Sequence, residues 1–257
     1  MLFLRKIKNL ANIVLQRKIK LSGRYKSWEE ALKFSRGYDD SKIFEKTTKS
    51  LECILSKKAK FERDSYLFYT EKYDETLLSI LNKIKKKIRK KIKLCDFGGS
   101  LGSLYFQHRA LFNYNFIDWN IIEQKHFVKY ANNKIKIKNL HFYDNLNFLI
   151  KKKINAVLFS SSLQYLEYPY QILDKMIKQK IPNIIIHRSP FTKNNEIIKI
   201  QHVPKHIYDT SYPIRILNIN KICNKFKNAG YEINSKFKLK EEIDGYFYET
   251  FYFEKKK

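Results

Sequence analysis

Asp96, Gly98, Gly99 and Gly102 stand close together in a chain of 257 residues that holds only seven glycines. They read Asp-Phe-Gly-Gly-Ser-Leu-Gly and follow the apolar segment Ile92-Lys93-Leu94-Cys95. Glycine lets a backbone turn tightly at positive φ and lets a ligand approach where a Cβ would block it. A strand, a glycine turn and a helix in succession make a ligand crevice at the carboxyl edge of a parallel sheet. A P-loop would need a lysine after its last glycine, and none is present. A dinucleotide turn, Gly-x-Gly-x-x-Gly, would fall on Gly98, Ser100 and Ser103, so one position of three fits. An acid ahead of the turn also sits poorly beside a pyrophosphate.

S-adenosylmethionine carries no phosphate, and its methionine end is cationic. Asp96 can favour that end directly or through water, while Gly98, Gly99, Ser100 and Gly102 let the backbone pass close to the nucleoside. In nucleotide-binding sheets an acid about 20 residues on, at the end of the second strand, holds ribose hydroxyls. Glu123 stands in that place, although alone it could be a solvent-facing strand end.

Methyl transfer from a sulfonium is an in-line displacement, so the protein mainly aligns the reactants. An oxygen nucleophile also benefits from a base. Candidate groups belong on the loops at the carboxyl edge. Ser160 and Ser161 follow the fourth strand on the cofactor side, and Asp144, after the third, could accept from the adenine amino group. Gln164 and Tyr165 could meet a hydroxylated acceptor, Tyr165 as a catalytic candidate, or else help to cap the sheet. His187 ends the fifth strand and is a candidate base, since histidine titrates near neutrality; it could equally bond to backbone. Arg188 could hold an anionic group of the acceptor, or pair with a helix acid. Residues 201–213 read as a long loop of the kind that forms a substrate lid, with Gln201, Tyr208 and Tyr212 as acceptor contacts and His202 as a second candidate base. His202 and His206 are four apart, but Pro204 lies between them and no third ligand is evident. No metal is expected.

The elements that must position these groups alternate from residue 92 onward. Strands are expected at 92–97, 119–123, 135–142, 156–160 and 183–187, with helices at 101–111, 126–131 and 169–179. Such alternation implies a parallel sheet with crossover helices. A helix at 219–229 ends at Gly230, and two strands, 231–239 and 246–253, are joined through Asp244-Gly245, a strong hairpin signal. Before the sheet, residues 24–82 look helical, with Ser27 as an N-cap. Residues 1–22 read as a basic amphipathic helix that can lie on a membrane surface or pack on the domain. The expected division is an N-terminal helical segment, 1–90, on the cap or substrate side, and a sheet domain, 91–257.

The formal net charge is +27, with Lys, Ile and Asn all abundant. Polyanion binding and simple composition bias both produce such a charge. In the lysine-rich stretch 83–93 only Ile84, Ile88 and Ile92 interrupt the charge, as one narrow apolar stripe on a solvated helix. No aromatic residues are interleaved for base stacking, so nucleic acid is disfavoured as a partner. Cys53, Cys95 and Cys223 form neither metal spacing nor disulfide framework, which favours a reducing compartment. No apolar run approaches the roughly 20 residues of a membrane span. The expected location is the cytoplasm, with peripheral contact at the inner membrane face open through residues 1–22.

The chain resembles class I S-adenosylmethionine-dependent methyltransferases. Asp96 to Gly102 is similar to their first motif, with Ser100 at the usual middle glycine; Ile121-Ile122-Glu123 is similar to the second, and the terminal hairpin to their last two strands. More closely, it resembles a bacterial family of methyltransferases found near surface-polysaccharide gene clusters, through Trp28-Glu29-Glu30-Ala31, Gly37-Tyr38-Asp39, Arg63-Asp64-Ser65, Asp96 to Gly102 with Tyr105-Phe106-Gln107, Trp119 to Gln124, Ser161 to Leu166, Arg188-Ser189-Pro190, Gln201 to Pro204 and Ser211-Tyr212-Pro213. The resemblance implies an α/β, Rossmann-like fold, with a mostly parallel seven-stranded sheet, a C-terminal antiparallel hairpin and an N-terminal helical segment. It also implies S-adenosylmethionine as cofactor and a small-molecule or glycan acceptor, in surface-polysaccharide biosynthesis. The Asn/Asp-Pro-Pro-Tyr/Phe sequence common in relatives that methylate exocyclic amines is missing after the fourth strand, which favours a hydroxyl acceptor. An RNA methyltransferase and a cofactor-binding scaffold without turnover stay open as alternatives.

Overall fold

The computed structural model describes residues 19–37, 41–112, 116–204 and 207–256. The expected strands recur as β4 (Ile92–Phe97), β5 (Ile117–Ile122), β6 (Leu140–Tyr143), β7 (Ala156–Ser160), β8 (Asn183–Thr192), β11 (Tyr231–Ile243) and β12 (Tyr246–Lys255). They lie in the order β6-β5-β4-β7-β8-β12-β11. The first five are mutually parallel; β12 runs antiparallel to both β8 and β11. Strand order therefore reverses between β4 and β7, and ligands bind at the carboxyl side of such a switch point.

Period-two alternation explains why the central strands read as continuous apolar runs. Ala156 and Leu158 of β7 face one core, with Leu94, Trp119 and Ile185. Val157 and Phe159 face the other, with Cys95, Ile184 and Ile186. The first core is covered by α2 (Ser41–Leu55), α3 (Glu75–Ile88), α4 (Ser103–His108) and α5 (Lys125–Lys134). The second is covered by α6 (Phe148–Lys152), α7 (Pro169–Lys178) and α8 (Ile219–Asn228). Asp74 caps α3 by accepting from Leu77 N–H, and Asn218 caps α8 by accepting from Lys221 N–H. No helix among the described residues is long and apolar enough to cross a membrane.

The N-terminal part departs from the expected helical segment. Lys20–Tyr25 is a strand, β1, and residue 19 is not helical either, so residues 19–22 depart from the expected basic helix; the rest of it, residues 1–18, lies outside the described residues. After the short α1 (Trp28–Lys33), whose cap is Ser27 as expected, and α2, a two-stranded hairpin is formed by β2 (Phe61–Arg63) and β3 (Tyr66–Phe68). A boundary at residue 90 separates no core of its own, since α2 and α3 pack on the same apolar cluster as β4 and β5.

Residues 201–203 and 210–213 are likewise not loop. They belong to an antiparallel pair, β9 (Ile197–Val203) and β10 (Thr210–Asn218), onto which β1 adds. β10 joins β8 only at Leu217 and Asn218, opposite Phe191 and Thr192. Among the described residues, the expected seven strands thus become ten in one sheet. β8 makes this possible by running five residues past the expected strand end at residue 187.

Candidate functional site

The glycine turn leaves β4 at the carboxyl edge. Gly98 and Gly102 have φ of 72° and 95°, and Ser100 between them has φ 53°. A Cβ on Gly99 would lie 2.6 Å from Asp96 Oδ2, and one on Gly98 would lie 2.8 Å from Ser162 Cβ. The turn needs these glycines because it folds down on the Asp96 carboxyl and against the segment after β7. Glu123, half-buried at the end of β5, reaches across: Oε2 accepts from Ser100 N–H at 3.0 Å and Oε1 from Gln124 N–H at 3.0 Å. Asp96 and Glu123 thus flank one turn, as their spacing predicts.

Asp96 differs from the expected crevice-facing carboxylate. It is 1% exposed and lies beneath the turn, accepting from the indole N–H of Trp119 at 3.0 Å through Oδ2. Burial outweighs that bond, and the nearby Glu123 charge adds to it, so the carboxyl is pushed up to about 7. Its Oδ1 has no hydrogen-bond partner among the described residues, nor does Ser162 Oγ beside the turn. Asp144 is exposed after β6 and accepts from its neighbour Asn145 at 2.7 Å.

At the ends of β7 and β8 the backbone is unusual. Ser161 and Arg188 have φ of 49° and 52°. Pairing with β12 slips between Ile186 and Ser189, a β-bulge that holds His187 and Arg188. Bulges of this kind re-aim side chains beside active sites. His187 is 1% exposed, and its partners are side chains rather than backbone: Nδ1 lies 2.8 Å from Ser160 Oγ, and Nε2 lies 3.3 Å from Asp74 Oδ2. Burial holds its pKa below the usual value although the Asp74 charge opposes this. Ser161 Oγ donates to the Arg188 carbonyl at 3.0 Å, and Arg188 pairs through Nη1 with Glu241 at 2.8 Å. That partner comes from strand β11, not from a helix.

Three expected acceptor residues meet. Tyr165 donates to Gln201 Oε1 at 3.0 Å, Gln201 Nε2 donates to Tyr212 Oη at 3.1 Å, and the two rings pack edge to face. Tyr208 is buried, with its hydroxyl 3.0 Å from Ser65 Oγ. Gln164 is fully buried and accepts from Ser189 Oγ at 3.1 Å, while its Nε2 has no hydrogen-bond partner among the described residues. His202 sits on β9 with an exposed side chain hydrogen-bonded to Ser22 Oγ. His206 lies outside the described residues. Among the described residues no three His, Cys, Asp or Glu side chains gather where a metal ion could be held.

Sequence reasoning missed the residues that close the site from the N-terminal side. Asp74 is the main one; it falls inside residues 24–82, which read as helical, with nothing to mark it. Its backbone N–H donates to His108 Nε2 at 2.9 Å, while His108 Nδ1 lies 2.8 Å from the Leu104 carbonyl. Arg63 donates to Gln107 at 3.3 Å. Glu62 accepts from Ser65 N–H at 2.7 Å and from the Ser103 hydroxyl at the start of α4, which ties the β2–β3 hairpin to the glycine turn.

No known family profile matches the sequence, and no curated protein matches it. Solved structures do. The N-terminal domain of EvdMO1, crystallised in the presence of SAH and D-fucose, superposes with a TM-score of 0.51 at 12% identity, covering 86% of this chain and 98% of that one. The same domain with SAH bound gives 0.50 at 13%, covering 83% and 97%. An S-adenosylmethionine-dependent methyltransferase from Clostridium acetobutylicum ATCC 824 gives 0.47 at 13%, covering 70% and 90%. The fold is the Rossmann-like α/β fold of class I methyltransferases, enlarged by β1, β9 and β10.

Proposed function

We propose that the chain is an S-adenosylmethionine-dependent methyltransferase that methylates a hydroxyl of a small-molecule or glycan acceptor. Surface-polysaccharide biosynthesis is the setting its sequence resemblance suggests. The observation that carries the reading is the coupling of Ser100 N–H to Glu123 Oε2 across the glycine turn at the switch point of the sheet. The residues suit the cofactor. Glu123 stands at the end of β5, where an acid would meet ribose hydroxyls, and the backbone from Gly98 to Gly102 would pass beside the nucleoside. The orphaned Asp96 Oδ1 and Ser162 Oγ offer acceptors for an ammonium group, directly or through water. Ser160 and Ser161 border the same edge, and Asp144 follows β6 where an adenine amino group would need an acceptor. When bound, the sulfonium supplies an activated methyl group, whose bonding electrons stay on sulfur. The protein then has to orient the acceptor oxygen, exclude water and take up one proton. Tyr165, Gln201, Tyr212, Tyr208 and Arg188 are the side chains assigned to the acceptor. Crystals of the EvdMO1 domain grown with both SAH and D-fucose support a sugar acceptor.

Calorimetric titration with S-adenosylmethionine tests the reading. Glu123→Ala should weaken binding roughly 10- to 100-fold, the worth of a charged hydrogen bond. Gly102→Val should abolish it, since φ is 95° there, a backbone conformation that a β-branched side chain does not adopt without strain. Unchanged affinity in both variants would remove the site. Transfer of labelled methyl groups into a glycan extract, and not into RNA, is the expected activity.

A further inference from the structure

Ser160, His187 and Asp74 come from three separate elements: the end of β7, the bulge in β8 and the cap of α3. Ser160 and His187 are paired in register across β7 and β8, so their side chains leave the sheet edge side by side. Ser160 is partly open, as is Asp74, and His187 between them is sealed. The contacts favour one direction for the protons. The Asp74 carboxylate lies 3.3 Å from Nε2, within ion-pair reach but off hydrogen-bond alignment, and its charge favours a hydrogen on that nitrogen, so that Nδ1 presents its lone pair to the Ser160 hydroxyl at 2.8 Å. The charge environment of the imidazole is complete on every side. Asp74 from α3 favours the imidazolium, while Arg63 from β2, Arg188 from β8 itself and burial disfavour it. His108 from α4 faces the same cluster and is neutral in character, accepting from Asp74 N–H.

We propose that Ser160, His187 and Asp74 form a proton relay for the acceptor hydroxyl, with Ser160 Oγ as the atom that meets the acceptor. This rests on the methyltransferase reading. As the acceptor oxygen bonds to the methyl carbon, its proton passes to Ser160 Oγ, and the Ser160 proton passes to His187 Nδ1. The positive charge lost from sulfur reappears on the imidazolium, beside the Asp74 carboxylate. Water takes the proton by the reverse route when product leaves. Ser160 is the catalytic residue here, and His187 and Asp74 act through it. The arrangement explains why a base can be buried: a sealed imidazole stays neutral and ready, and only a hydroxyl needs to reach the crevice.

The test needs no acceptor. In Ser160→Cys the new thiol replaces the relay hydroxyl, and its alkylation by iodoacetamide is followed against pH, with Cys53, Cys95 and Cys223 tracked separately by mass spectrometry. A relay should form the thiolate below the ordinary pKa of about 8.5, and adding Asp74→Asn should move that inflection upward. Nitrogen-15 spectra of the unsubstituted chain give a second measurement that no variant can spoil. His187 should carry its hydrogen on Nε2 at neutral pH. An inflection at the ordinary value that ignores Asp74→Asn, or a hydrogen on Nδ1, overturns the relay. Loss of S-adenosylmethionine binding by the unsubstituted chain would instead overturn the methyltransferase reading and leave the proton measurements standing.

Discussion

At the residue scale, two buried carboxyls carry a stability cost. Asp96 and Glu62 are 1% and 4% exposed, and burial pushes each up to about 7 from the ordinary carboxylate range. Each is stranded for a structural reason: Asp96 under Gly99 and against Trp119, Glu62 between Ser65 and Ser103. Their folded-state values lie above their unfolded ones, so the folded state binds more protons between about pH 4 and 7. The stability they contribute is complete below the unfolded pKa and is lost as pH rises through 7. Asp96→Asn cannot ionise and escapes that loss. Its melting temperature, compared with the unsubstituted chain by circular dichroism, should therefore rise in relative terms from pH 5 to pH 8. One pKa unit is about 1.4 kcal/mol, and each kcal/mol moves Tm by about 2–4 °C at this size, so several degrees are expected. A flat or falling difference would show that Asp96 is ionised in the folded protein. His108 and His187, lowered by burial, slope the other way below pH 6.5 and cancel in the comparison.

At the scale of elements, the central strands were legible because both faces are covered, so β7 and β8 read as unbroken apolar runs with Ser or His at the edge. The glycine turn and Glu123 were legible because one hydrogen-bonded turn needs both at fixed spacing. β9 and β10 were hidden by Pro204 and Pro213, which argue against a strand. Pro213 is tolerated because β10 pairs there with β9 alone, and reaches β8 only at Leu217. β1 was hidden by its mostly exposed, polar residues, which carry no alternation. Asp74 could not be recognised because its contact with His187 spans more than 100 residues of sequence. The hairpin nevertheless has an internal fastener, since Gln201 on β9 bonds both Tyr165 and Tyr212. Gln201→Leu keeps the volume and removes both bonds, at about 1 kcal/mol each. Urea unfolding should show a loss of about 1–3 kcal/mol with an unchanged m-value. An unaltered midpoint would mean that neither bond forms in solution.

At the scale of the whole molecule, a net charge of +27 opposes compactness. Among the described residues, exposed lysines stand on both sides of the sheet. Exposed examples stand on α3 (Lys86, Lys87) over one side of the sheet, and on α7 (Lys175, Lys178) and α8 (Lys227) over the other. That distribution is poor for tracking a polyanion backbone, which needs a stripe beside the crevice. Two salt effects then compete. Screening weakens the ion pairs, but exposed pairs such as Lys33–Glu29, with side chains 71% and 79% exposed, contribute little to begin with. Screening also weakens repulsion among the many unmatched lysines, and the Debye length shrinks from about 10 Å at 0.1 M salt to about 3 Å at 1 M. Repulsion is the larger sum, so sodium chloride from 50 to 500 mM should raise Tm. Reversing Lys86 and Lys129, the latter exposed on α5 over the same side, to Glu should give a similar gain at low salt to reversing Lys175 and Lys178, and both gains should shrink at high salt. A Tm that falls with salt, or a gain confined to one of the two pairs, would mean that a local cluster of charges governs stability and that the even spread of lysine is not what the molecule feels.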